Sequence, residues 1–192
     1  LSKIEEGFSR ILEGLSEEYG LDLSDPNFKE TPKRVARAYA EMFCGLRDTK
    51  EKLRKILSTG FPSSYTGMVL IKDVRTVSMC PHHFLSIRYR TDLAYIPSKT
   101  GNVLGLSKLP RIVEVLSKRP VLQETFTEEI TSTLMEIKGC RGAACLVRGD
   151  HSCMSIRGVL KPDALTITSS LRGVFEDEDA TRAEFLSLTR NS

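Results

Sequence analysis

Residues 68–96 read MVLIKDVRTVSMCPHHFLSIRYRTDLAYI. Met68-Val69-Leu70-Ile71 and Val74-Arg75-Thr76-Val77 are β-branched and partly alternating, and Leu85 to Ile96 continues the pattern. The spacing predicts two strands on either side of Cys80-Pro81-His82-His83, with a turn over Pro97 to Asn102.

Toward the C-terminus the period changes. Leu106 to Ser117 and Glu124 to Ile137 carry helical spacing, and Lys118-Arg119-Pro120 separates them, since a proline disfavours helix in the residue before it. Ala143 to Val147, Met154 to Leu160 and Leu165 to Leu171 have strand character, and Thr181 to Leu188 reads as a last short helix. The order strand, strand, helix, helix, strand, strand predicts an α+β layer, with helices covering one face of an antiparallel sheet.

Toward the N-terminus the chain reads as helical. Ile4, Phe8, Ile11, Leu12 and Leu15 recur at helical spacing, and Gly20 supplies a stop. Thr31 before Pro32 predicts an N-cap followed by proline at the first helical position, with Val35, Ala36, Tyr39, Ala40 and Phe43 as the apolar stripe. A shorter helix is expected over Lys50 to Ile56. The predicted organisation is a helical region over 1–64 and an α+β catalytic domain over 65–192.

The 192 residues are 40% hydrophobic and 28% charged, which excludes a disordered or collagen-like chain. No apolar run approaches the roughly 20 residues of a membrane-spanning helix, so no membrane is expected as partner. Glu5, Glu6 and Glu13 interrupt the first apolar residues, unlike a secretory signal, and the expected location is cytoplasmic. A net charge of +3 is too balanced to imply nucleic acid.

The five cysteines, Cys44, Cys80, Cys140, Cys145 and Cys153, are odd in number and widely spread, which argues against a disulfide framework. All three histidines lie within three residues of a cysteine, in Cys80-Pro81-His82-His83 and His151-Ser152-Cys153. A Cys-x-x-His pair can place both ligands on one side of a tight turn. Residues two apart in a strand share a face, so His151 and Cys153 can point to the same place. The two half-sites are enough for one metal. A catalytic zinc takes three protein ligands and leaves one position open, while a closed structural site takes four, and the residues alone leave both readings standing.

The H-x-E and P-C-x-x-C elements of zinc deaminases are missing, as are the H-E-x-x-H helix and the glycine-rich phosphate loops. A nucleotide would therefore be held by side chains. Lys108 and Arg111 share a face near the start of a predicted helix, and Arg157 follows Cys153 closely, with Arg34 upstream.

TPKRVARAYAEMFCGL, SMCPHHF, LAYIPSKTGNVLGLSKLPRIVEVLSKRP, LQE, HSCMSIRG and TRAEFLSLTR, in that order from about residue 30 to the C-terminus, together resemble GTP cyclohydrolase I. The resemblance implies a zinc enzyme that hydrolyses GTP at C8, releases formate and forms 7,8-dihydroneopterin triphosphate. It implies Cys80, His83 and Cys153 as zinc ligands, with His82 and His151 in proton transfer and Ser107 in the sugar rearrangement. By the same resemblance Glu124 with Gln123 anchors the purine, Leu106 lies in the substrate site, and Lys108, Arg111, Arg157 and Arg34 clamp the triphosphate. The implied fold is of the tunnelling-fold type, and the implied assembly is a toroidal homodecamer of two pentamers with sites between subunits. This sequence departs from the family pattern at Pro81, usually Glu, at Tyr89, usually Gly, and at Thr125-Phe126, where the family has Q-E-R-L. Pro81 and Tyr89 motivate an alternative, a catalytically silent zinc-containing paralogue in an oligomeric assembly.

Overall fold

A computed structural model describes residues 2–190, and its contacts separate two compact units, Leu1–Cys44 and Gly45–Ser192. In the first unit, helix α1 (Lys3–Tyr19) is capped by Ser2, whose Oγ accepts from the Glu5 N–H at 3.2 Å, and ends at Gly20 with φ 73°. Helix α2 (Thr31–Met42) packs on it with Tyr39 edge-to-face on Phe8 at 5.4 Å, and Tyr39 in turn meets Phe43 at the end of its own helix at 4.9 Å. Thr31, expected as the cap, is instead the first helical residue. Its hydroxyl donates back to Asn27 O at 3.3 Å and accepts from the Arg34 guanidinium at 3.3 Å rather than from a main-chain N–H of the helix, and Glu30 stands at the cap position.

The expected boundary between residues 64 and 65 differs from the division of the contacts. Helix α3 (Thr49–Leu57) belongs with the second unit, because its Ile56 is buried in that unit's core.

The second unit is built on four antiparallel strands in the order β2-β3-β5-β6, after a short β1 (Gly60–Pro62). Strands β2 (Val69–Met79) and β3 (Ser86–Pro97) form the hairpin the sequence predicts, with Val69 opposite Tyr95 and Met79 opposite Ser86. β4 (Asn102–Leu104) pairs with β1, a small ribbon that three-residue segments did not signal. Helices α4 (Lys108–Ser117) and α5 (Gln123–Met135) follow, then β5 (Cys140–His151), and β6 (Thr166–Gly173) closes the order. Ile87, Tyr89, Leu93 and Tyr95 of β3, with Ala143, Cys145 and Val147 of β5, bury one sheet face against Leu109, Ile112, Val113 and Leu116 of α4 and Phe126, Ile130 and Leu134 of α5. Each such large apolar side chain contributes about 1.5–3 kcal/mol on burial.

The opposite face is partly covered by two C-terminal helices, α7 (Val174–Asp177) and α8 (Asp179–Thr189), after a short α6 (Ser152–Ser155) described below. Phe175 and Phe185 pack there on Ala94, Ile96 and Ala144. On the same face Asp92, fully buried, binds Arg148 Nη1 at 2.7 Å and accepts from the Asp73 N–H at 2.8 Å, at the bulge between Ile71 and Val74.

One expected strand is absent among the described residues. Met154 to Leu160 forms α6 and a turn with Gly158 at φ 63°, and Ile156, Val159 and Leu160 are exposed with no strand beside them. Among the described residues no helix is long and apolar enough to cross a membrane.

Candidate metal centre and nucleotide cleft

The site forms where three chain ends meet on the helix-covered face of the sheet: the end of β2, the end of β5 and the start of α5. The turn after β2 is closed by the Cys80 N–H donating to Leu85 O at 2.8 Å and the Phe84 N–H donating to Cys80 O at 2.9 Å, with Phe84 at φ 52°. Neither bond uses residue 81, so Pro81 fits this turn without losing a donor that the turn employs. The start of α5 is tied to the same strand by the Val121 N–H donating to Met79 O at 3.3 Å and Ser78 Oγ donating to Arg119 O at 2.9 Å.

Ligand atoms of Cys80, His83 and Cys153 all lie within 4.8 Å of one another. Cys80 is buried, Cys153 half-buried and His83 exposed. Cys153 reaches the cluster from the first turn of α6, not from a strand shared with His151 as the sequence spacing implied. Ser152 Oγ meets Ser86 Oγ at 2.9 Å and fastens that turn to the start of β3. Burial raises the Cys153 thiol above its ordinary pKa, and the adjacent Cys80 raises it further. Two thiolates this close repel, and a divalent cation between them removes the repulsion. Two sulfurs and an imidazole within such a span therefore fit a metal ion of the zinc type.

Beside the cluster lies a cleft of about 210 Å³ lined by Cys80, His82, Gln123, Glu124, His151 and Cys153, among others. His82 Nδ1 is 3.9 Å from Cys80 Sγ. His151 Nε2 is 2.8 Å from Gln123 Oε1. Burial lowers the His151 pKa below its usual value, opposed by the charges of Glu124 and Asp150. Glu124 is exposed, whereas Gln123, expected beside it as a purine contact, turns its side chain into the sheet and is 2% exposed.

Tyr89 and Phe126, both departures from the family pattern, turn out to be partners. Their rings stack at 4.7 Å with 11° between planes, and Tyr89 meets the His151 ring edge-on at 6.4 Å. Cross-strand from Tyr89 stands Gly149, where a Cβ would lie 2.1 Å from Gln123 Oε1. Gly149 is two residues before His151 on the same strand face, which is the signal that could have marked it.

The other expected residues lie apart from this cleft. Lys108 and Arg111 line a separate cavity of about 360 Å³ together with Lys52 and Lys55 of α3, two basic residues the sequence reading did not include. Leu106 and Ser107 are exposed just before α4, and Arg157 is exposed after α6. Arg34 stands on α2 in the first unit, its Nη2 donating to Asn27 O at 2.6 Å.

A family model described as GTP cyclohydrolase I matches residues 4–190. A protein named GTP cyclohydrolase 1 from Carboxydothermus hydrogenoformans is 45% identical over 187 residues, covering 97% of this chain and 93% of its own length. Proteins of the same name are 42% identical in Thermoanaerobacter pseudethanolicus, over 97% of this chain and 95% of theirs, and 41% identical in Lysinibacillus sphaericus, over 100% and 97%.

Proposed function

The chain belongs to the GTP cyclohydrolase I family, and from that premise we infer how its residues convert GTP to formate and 7,8-dihydroneopterin triphosphate. The reaction opens a cyclic amidine C–N bond by hydrolysis at C8 of guanine. Carbon 8 is a poor electrophile, so the site has to supply both a nucleophile and protons at neutral pH.

Cys80, His83 and Cys153 are the zinc ligands in this reading, and the proximity of their donor atoms carries it. Zinc held there supplies Lewis acidity, which brings the ionisation of water near neutral pH. His151 passes a proton to N7 of the purine, making C8 open to attack, and His82 in the same cleft serves the later proton transfers. Such positioned acid–base groups contribute about 10²- to 10⁴-fold to the rate.

Glu124 is the purine anchor. Its exposed carboxylate next to the cleft accepts hydrogen bonds from N1 and N2 of guanine, a pattern adenine cannot supply. Ser107 acts in the ribose rearrangement, and Leu106 borders the substrate. Lys108, Arg111, Arg157 and Arg34 hold the triphosphate while the other end of the molecule changes shape. The basic cavity at Lys108 and Arg111 shares no lining residue with the cluster's cleft, which favours a site assembled from more than one copy. Among the described residues no further strand pairs with the outer edge of β6, and that of β2 carries only the bridge at Pro120, which supports the same homo-oligomer, a decamer of two pentamers.

Incubating the zinc-loaded protein with GTP tests this reading. Formate and a pterin that becomes fluorescent on oxidation are the expected products; metal-replete protein that yields neither contradicts it.

A further inference from the structure

The role of Gln123 follows from where its amide hydrogens go, and it rests on the reading of His151 as the proton-transfer residue. Gln123 opens α5 with its side chain buried against β5 and β6. Its Nε2 lies 2.9 Å from Thr166 O, 3.2 Å from Val147 O and 3.1 Å from Thr168 Oγ1. The first two are main-chain carbonyls, which only accept, so the amide NH₂ has to face them and the amide oxygen has to face the other way.

The neighbouring hydroxyls agree with this orientation. Thr127 Oγ1 donates to Gln123 O at 2.7 Å, which uses its one hydrogen. In the 2.6 Å contact between Thr127 and Thr168, Thr168 is therefore the donor. That leaves the Thr168 oxygen to accept from Gln123 Nε2. The two amide hydrogens serve these three acceptors, one of them shared, and no arrangement leaves the amide oxygen on that side.

Gln123 Oε1 then points at His151 Nε2, 2.8 Å away. An amide oxygen only accepts, so the hydrogen between them belongs to the imidazole. Nδ1 of the same ring has no hydrogen-bond partner among the described residues. We propose that Gln123 is a positioning residue that holds His151 as the Nε2–H tautomer at rest and leaves Nδ1 as the atom that takes up a proton from solvent and then passes it to N7 of the purine. Consecutive residues thus divide the work: Glu124 faces the purine and Gln123 sets the ring that serves it. A fixed partner on the far ring nitrogen is the usual device by which a catalytic imidazole is oriented and its tautomer chosen.

The test is magic-angle-spinning ¹⁵N NMR of zinc-loaded protein labelled at histidine, with the His151 signals assigned by their loss in His151→Asn. A pyrrole-type Nε2 and a pyridine-type Nδ1 are expected. The reverse pattern, or a mixture of the two, overturns the proposal. Kinetics give a second readout: Gln123→Met is expected to lower kcat about 10²-fold while zinc content and KM for GTP stay at wild-type values. A raised KM with unchanged kcat would make Gln123 a purine contact and overturn the positioning role. Should that variant not fold, the wild-type spectrum decides alone. Failure of GTP turnover in the wild type strikes the functional reading, whereas the tautomer stands or falls on the spectrum.

Discussion

Tyr89→Phe is expected to stabilise the protein, although it alters a buried residue beside the candidate site. Tyr89 is 1% exposed, and its hydroxyl has no hydrogen-bond partner among the described residues. Burial, and then the charges of Cys80 and Glu124, push its phenol above the usual pKa, so the group stays neutral and gains nothing from ionising. A buried, unpaired hydroxyl costs about 1–3 kcal/mol relative to one that water can reach. Phenylalanine removes that cost and keeps the ring in its 4.7 Å stack with Phe126. The expected gain is therefore about 1–3 kcal/mol, and each kcal/mol raises Tm by about 2–4 °C in a chain of this length. Urea unfolding followed by circular dichroism measures the change, together with a thermal scan at matched protein concentration. A variant destabilised by about 1 kcal/mol or more would show that the hydroxyl has a partner, and the reasoning would fail.

Two further substitutions test other parts of the molecule. Asp92→Ala strands Arg148, which is mostly buried, and removes the acceptor of the Asp73 N–H, so a loss of about 3–5 kcal/mol is expected in the same unfolding assay. Glu124→Gln exchanges a carboxylate that accepts at both oxygens for an amide that accepts at one, and should weaken GTP binding about tenfold, read as a raised KM with zinc content unchanged.

The sheet and its two covering helices were legible because their signals are local. β2 and β3 alternate on either side of the Cys80 turn, and Pro120 separates α4 from α5. The stretch 154–160 misleads because its apolar content reads as strand; Ile156, Val159 and Leu160 are exposed, and nothing in the local sequence reports that no neighbour strand is there to pair with it. The Cys80-His83-Cys153 cluster was legible from spacing, since Cys80 and His83 share a tight turn. His151 and Cys153 also converge, but through a strand end followed by a helical turn. The Gln123 network was not legible, because it depends on Thr127, Thr166 and Thr168, which a one-dimensional pattern gives no reason to connect.

The central claim is that Cys80, His83 and Cys153 hold the metal while His151 stands beside it to move protons. Zinc analysis and the neopterin assay on one preparation each of wild type, Cys153→Ala and His151→Ala test it most directly. The account predicts zinc and turnover in the wild type, zinc without turnover in His151→Ala, and neither in Cys153→Ala. Equal zinc content and equal activity in the two variants would contradict it.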